Sequence, residues 1–312
     1  MWILLGILSL LAMVNGQEGG QCSPTPRNLE ILYREECIKL LLRNTTCEFV
    51  WTRFTDAFAG MDPSQVTPQS YFPYFQYFGT SNSSDTSLFW TQTPELVEML
   101  SCMCASGANI VSSANEPSTA IINNIERRVS EVVRWCGTTS GNSTDGIEYN
   151  MSCPCSVAFD FFEQFSVLFA RAAQGVIFFL GYGEKVNGTF SESSFFAKYE
   201  IPNLNATVVT RVVVIVVHRS NQGEGCGQGT LNNLQTALKD QVPNIAYDCF
   251  DVFGDPTNSA EVQGLTNCTA DIITSIQKGQ NPENNTCSSG VPMQRLSLVI
   301  AVVAVLIAMC TL

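Results

Sequence analysis

The residues able to do chemistry are few, and most of the familiar arrangements are missing. The chain has one histidine, His218. A single imidazole could serve a Ser-His-Asp triad, but no Gly-x-Ser-x-Gly elbow presents a nucleophile. His218 ends an apolar run and reads as structural. A zinc site is not expected, because a set of histidine ligands is absent and the cysteines belong to an oxidising compartment. The run Gly223-Glu224-Gly225-Cys226-Gly227-Gln228-Gly229 follows a strand pattern as a phosphate loop would. Its spacing fits neither G-x-G-x-x-G nor the P-loop, so it reads as a flexible turn with Cys226 bridged. What remains is a set of aromatics and acids: Phe89-Trp90, Phe161-Phe162, Phe195-Phe196, Glu131 and Glu200. On their own, aromatics mostly fill cores and acids mostly face water.

The elements that must position these residues fall into two styles. Residues 28–58 carry apolar positions at helical spacing (Leu29, Leu32, Cys37, Leu40, Leu41), stopped by Asp62-Pro63. Residues 71–78 are aromatic and interrupted by proline, which predicts a packed loop. Glu116-Pro117 opens a helical pattern reaching Trp135, and a second helix is predicted over 159–174, ending at Gly175. Beyond it, 176–180 and 208–217 are short β-branched runs, as in strands buried on both faces of a parallel sheet. A helical pattern over 231–238 completes an α/β alternation.

The two ends and the composition set the compartment. Residues 3–14 form an apolar run broken only by Gly6 and Ser9, with Val14 and Gly16 suiting a signal-peptidase site. The run is short for a membrane span, the alternative reading. Residues 296–312 form an uncharged apolar tail, preceded by Ser288-Ser289-Gly290 and a spacer ending at Arg295. That order is the signal for a glycosylphosphatidylinositol (GPI) anchor attached at Ser288, with a tail-anchored span as the other reading. Setting Cys310 aside leaves 12 of the 13 cysteines for a disulfide framework. Sequons at Asn44, Asn82, Asn142, Asn150, Asn187, Asn205, Asn267 and Asn284 predict a glycosylated exterior. The formal charge of −12 disfavours nucleic acid as a partner.

Several stretches, in order, resemble the ADP-ribosyl cyclase family of cell-surface NAD-cleaving enzymes. They are Ile31-Leu32-Tyr33-Arg34-Glu35-Glu36-Cys37 with Cys47-x-x-Val50-Trp51-x-x-Phe54-x-x-Ala57-Phe58, then Leu88-Phe89-Trp90-Thr91 with Glu95-Leu96. Next come Trp135-Cys136-Gly137 with Tyr149 and Cys153-Pro154, and Phe169-Ala170-x-Ala172-Ala173. Ser194-Phe195-Phe196 with Glu200 and Asn203-Leu204, and Val216-Val217-His218, close the series. The similarity is collinear from about residue 30 to 287.

The resemblance implies a disulfide-stapled, two-lobed α/β fold. Residues 17–83 and 112–173 would form a mainly helical lobe. Residues 84–111 and 174–288 would hold a short parallel sheet flanked by helices, between a 1–16 signal peptide and a 289–312 propeptide. It implies the pairs Cys37–Cys47, Cys136–Cys153, Cys226–Cys249 and Cys268–Cys287, leaving Cys22, Cys102, Cys104 and Cys155 with three pairings open.

It also implies roles. Glu200 would be the catalytic carboxylate, Trp90 the first stacking tryptophan, Ser166 the active-site serine, and Glu131 an acid near the nicotinamide amide. Phe195 and Phe196 would line the substrate, with Phe195 at a position where the family's cyclising members carry Phe. Phe162 stands where the family has a second tryptophan, and Ile122 where it has a helix acid. NAD or NADP would be substrate, with no metal and no cofactor. The expected products are nicotinamide with cyclic ADP-ribose, ADP-ribose or both, with base exchange on NADP as an option. The alternative is a weakly catalytic cell-surface binding protein that keeps the fold. A homodimer stays open.

Overall fold

The computed structural model describes residues 29–41, 44–78, 86–91, 93, 96, 97, 100, 110–112, 116–129, 133, 135, 156–186, 188–220, 223–255, 258–280 and 282. The chain divides into two compact units: Met1–Asn82 with Asn115–Phe169, and Ser83–Ala114 with Ala170–Leu312.

The first unit is helical: α1 (Leu29–Leu41), α2 (Asn44–Asp56), α3 (Phe72–Phe78), α4 (Pro117–Val129) and most of α5 (Ser156–Ala172). Its core is aromatic. Phe54 lies 5.0 Å from Trp135, 5.2 Å from Tyr33 and 5.6 Å from Phe161, all of them fully buried. Most of these rings meet at steep angles, the arrangement the ring quadrupole favours. Their polar tips are satisfied internally. Trp135 Nε1 donates to the Tyr71 hydroxyl at 2.6 Å, which donates to Val157 O at 2.9 Å. The Tyr33 hydroxyl donates to that of Tyr74, which donates to Ser118 O.

Two expectations are corrected here. Of residues 71–78, expected as a packed loop, Tyr71 ends a 3-10 turn and 72–78 form the helix α3. Pro73 is its second residue, where a missing N–H leaves no helical bond unmade. The helix expected to reach Trp135 ends at Val129. Val133 N instead donates to the Glu126 carboxylate at 3.0 Å, and non-helical Trp135 enters the aromatic core.

The second unit is built on a parallel sheet. Its strands are β1 (Thr86–Trp90), β2 (Ile110–Val111), β3 (Gly175–Tyr182), β4 (Val209–His218) and β5 (Ala246–Phe253), in the order β2-β1-β3-β4-β5. Every described pairing is parallel. Val212–Val217 of β4 are all fully buried, which explains why this strand reads as one apolar run without alternation. Helices α6 (Gly229–Gln241) and α7 (Ser259–Gln277) accompany it. Leu231, Leu234 and Leu238 form the buried stripe of α6. Leu88, Leu180, Val213, Ile215 and Ile273 belong to one buried apolar cluster. The order turns at the β1–β3 boundary, and in open parallel sheets the space outside the carboxyl ends at such a point is where ligands bind.

Candidate active site

Glu200 closes a five-residue π-type turn, Phe196–Glu200, in which Ile201 N donates to Phe196 O. Single π turns recur at functional sites because they re-aim a side chain that a regular helix would place elsewhere. Phe196 docks the turn onto the sheet. It is 2% exposed, stacked on Phe179 at 4.7 Å and tilted against Phe89 at 5.1 Å. On the upstream side Ser194 O accepts from Lys198 N, and Ser194 Oγ accepts from Ala197 N at 3.2 Å. On the downstream side Asn203 Nδ2 donates to Tyr199 O at 2.8 Å, and Arg171 Nε donates to Asn203 Oδ1 at 3.1 Å. Glu200, 9% exposed, thus sits on a turn secured at both ends.

Trp90 is the last residue of β1, in register with Leu180 of β3, and Thr91 N still donates to Leu180 O. Its ring packs against the buried cluster containing Leu88 and Leu180, whereas neighbouring Phe89 faces Phe196. This is the side-to-side alternation of a strand. Trp90 therefore marks the carboxyl edge at the β1–β3 boundary. Phe195, unlike Phe196, is only half-buried, its ring tilted 51° against Tyr199 at 5.3 Å. Adjacent phenylalanines thus differ: Phe196 is a packing anchor, and Phe195 stays half-buried.

In the helical unit, α5 carries Phe162 and Ser166 one turn apart. Phe162 is half-buried and meets Phe161 edge-on at 5.2 Å, while Ser166 is buried. Asp160, also on α5, has its carboxyl pushed up to about 6, by burial first and by the Glu163 charge second. Ile122, near which resemblance puts the family's helix acid, is fully buried in α4. Glu131 lies outside the described residues.

Sequence reasoning missed a polar knot around the glycine-rich run. Expected as a flexible turn, the run is fixed. The Glu224 carboxylate accepts from Thr189 N at 2.5 Å, Thr230 Oγ1 at 2.7 Å and Leu231 N at 3.2 Å. Burial raises this carboxyl, but the hydrogen bonds outweigh it and hold the group below its ordinary range. Gly188 (φ +87°) and Gly229 (φ +43°) allow the approach, since a β-carbon on either would come within 3.0 Å of the Glu224 carboxylate. His218 Nε2 lies 2.7 Å from Asp251 Oδ1, and its ring stacks on Phe253 at 5.0 Å. A signal for this knot lay in the glycine density itself, which marks close backbone approach as readily as a phosphate loop. Beside it opens a cavity of about 620 Å³, lined by Gly183, Glu184, Lys185 and Ser220 among others. Among the described residues no group of three His, Cys, Asp or Glu could hold a metal ion.

The covalent features stand as follows. Cys37–Cys47 joins α1 to α2, and Cys226–Cys249 ties the loop before α6 to β5. Cys268 is disulfide-bonded, while Cys136, Cys153 and Cys287 lie outside the described residues, with Cys22, Cys102, Cys104 and Cys155. Asn205 is exposed, its Oδ1 accepting from Thr207 N and Oγ1 at 3.0 and 2.7 Å. Asn267 is half-buried on α7 and accepts from Gln263 Nε2, and Asn44 opens α2. Asn82, Asn142, Asn150, Asn187, Asn284 and Ser288 lie outside the described residues. No described helix is long and apolar enough to cross a membrane.

Known proteins can now be set beside this geometry. A family model described as ADP-ribosyl cyclase matches residues 32–269. The human ADP-ribosyl cyclase/cyclic ADP-ribose hydrolase 2 is 28% identical over 215 residues, 66% of this chain and 62% of the relative's length. The ADP-ribosyl cyclase/cyclic ADP-ribose hydrolase of Aplysia californica is 26% identical over 65% of this chain and 69% of its own. Among solved structures, the Aplysia cyclase complexed with substrate NGD and product cGDPR matches with a TM-score of 0.57 at 25% identity. That match covers 73% of this chain and 90% of the cyclase. An ADP-ribosyl cyclase complexed with N1-cIDPR shares the fold with a TM-score of 0.60 at 23% identity, over 84% and 98%. With the family model covering most of its length, and the sheet and Glu200 turn laid out as above, this chain belongs to the ADP-ribosyl cyclase family.

Proposed function

We propose that this protein cleaves the nicotinamide–ribose bond of NAD, with Glu200 as the catalytic carboxylate. The observation that carries the reading is Glu200 itself: a buried acid on a π turn anchored by Phe196, in the unit whose β1 ends at Trp90. In NAD the nicotinamide is a cationic leaving group. When its C–N bond to ribose breaks, the bonding pair departs with neutral nicotinamide and leaves an oxocarbenium-like ribosyl centre. A carboxylate at the ribose hydroxyls stabilises that charge as it grows. In the unit that carries Glu200, an aromatic face such as that of Trp90 suits the flat pyridinium, at ~1–2 kcal/mol once desolvated. Capture by water, with loss of a proton, gives ADP-ribose. Capture by the substrate's own adenine, also with loss of a proton, gives cyclic ADP-ribose. Incubating the purified protein with NAD and resolving products chromatographically tests this: release of nicotinamide is expected, and intact NAD would overturn it.

A second reading, a binding protein that keeps the fold with little turnover, is favoured by Ile122, since a buried isoleucine stands where the family has an acid. The product assay separates the two. For location we propose the outer cell surface, held by a lipid anchor at Ser288. Phosphatidylinositol-specific phospholipase C is expected to release the protein from cells, and retention at the surface would favour a spanning tail.

A further inference from the structure

We infer that Glu224 is the positioning residue for the Glu200 turn, acting through the segment 189–200; this rests on the reading of Glu200 as catalytic. Glu224 lies on the loop after β4, while Glu200 lies on the long connection after β3. The two connections are joined at Glu224. Its carboxylate takes the backbone N–H of Thr189 from one and the hydroxyl of Thr230 and N–H of Leu231 from the other. Phe190 N adds a bond to Thr230 Oγ1 at 3.0 Å, and Glu224 N donates to Gly183 O at 2.8 Å.

From that junction the chain is secured residue by residue to the catalytic turn. Phe190 is buried. Ser194 N and Oγ both donate to Ser191 O, and Ser194 in turn accepts from Ala197 and Lys198 as the first bonds of the turn. Four residues past Glu200, Leu204 O accepts from Gln241 Nε2 at 3.2 Å. Helix α6 therefore holds this connection from both of its ends: Thr230 with the Glu224 cap at its start, Gln241 at its finish. A carboxylate suits the junction because it only accepts, and three donors converge on it. The glutamine amide of the same shape would bring N–H groups against N–H donors. Phe196 fixes the turn on the sheet face, and Asn203 holds its downstream end. The bonds at Thr189, Phe190 and Ser194 hold its upstream end. An acid that stabilises developing charge must be held to a fraction of an ångström, and a misplacement of ~1 Å can cost 10²-fold.

The test compares wild type, Glu224→Gln and Glu200→Gln in steady-state NAD cleavage and in hydrogen exchange of the whole protein. For Glu224→Gln, kcat is expected to fall by about 10-fold or more with KM changed far less. Exchange is expected to rise at Thr189, Leu231 and 194–204 but not in β4. Unchanged kcat, or a loss accompanied by faster exchange throughout β3, β4 and β5, overturns the inference, because the effect would then be absent or merely global. Glu224→Asp, which keeps the charge, is expected to recover part of the lost kcat; a variant no better than Glu224→Gln counts against the carboxylate junction. The two claims come apart in the same data: an inactive Glu200→Gln beside a fully active Glu224→Gln sinks only the positioning role, whereas an active Glu200→Gln sinks both.

Discussion

Two neighbouring phenylalanines show how much a single position decides. Phe196 is consumed by Phe89 and Phe179, and Phe195 is left half-buried at the start of the Glu200 turn. In the proposed reaction, once nicotinamide leaves, the ribosyl centre is captured by water or by adenine. A large ring at Phe195 favours adenine by stacking the purine and filling space that water would occupy. Phe195→Thr is therefore expected to shift products from cyclic ADP-ribose towards ADP-ribose, measured on NAD and on a guanine analogue whose cyclic product fluoresces. An unchanged ratio would mean that Phe195 only packs. The distinction between the two rings was not legible in the sequence, where they are equivalent letters. It comes from partners on β1 and β3, far away in the chain. The single histidine was legible: it ends a strand, and the structure gives it Asp251 and Phe253 as neighbours.

Among the elements, those with one dominant period were the readable ones. Strand β4 is apolar from Val212 to Val217 because both of its faces are covered there, and the run expected over 208–217 lies within one residue of the observed strand. Helix α3 was misread because Pro73 looks like a breaker, yet a proline in the first turn costs no hydrogen bond. The glycine-rich run was misread because its glycines serve close packing around Glu224 and not looseness. Helix α5 offers a test of its own packing. Asp160 is half-buried, and burial with the Glu163 charge lifts its folded pKa to about 6 from the ordinary 3.8. An acid raised in this way makes the folded state bind more protons between these values. Stability then falls as pH rises through that window and is level above it. Asp160→Asn is expected to melt higher than wild type at pH 7, with the difference closing towards pH 4. A variant that melts lower at pH 7 would show that the ionised carboxylate is well accommodated.

At the scale of the whole molecule, the acidic surface and the chemistry pull apart. A formal charge of −12 does not draw in an anionic dinucleotide, so the binding proposed for this protein must come from local groups. Geometry explains how the second unit holds Glu200: a parallel sheet that supplies Phe89 and Phe179 as a docking surface, a π turn on top of it, and α6 bonded to both sides of the connection. What no pattern in the sequence conveyed was this scaffolding, because it depends on side chains that meet only after the sheet has formed. The measurement that bears most directly on the catalytic assignment is NAD turnover by Glu200→Gln, in a protein shown by its melting temperature to be folded. Glutamine keeps the size of the side chain and removes the charge that offsets the ribosyl cation, so a loss of at least ~100-fold is expected, with nicotinamide release as the readout. Turnover close to wild type in that folded variant would contradict the assignment.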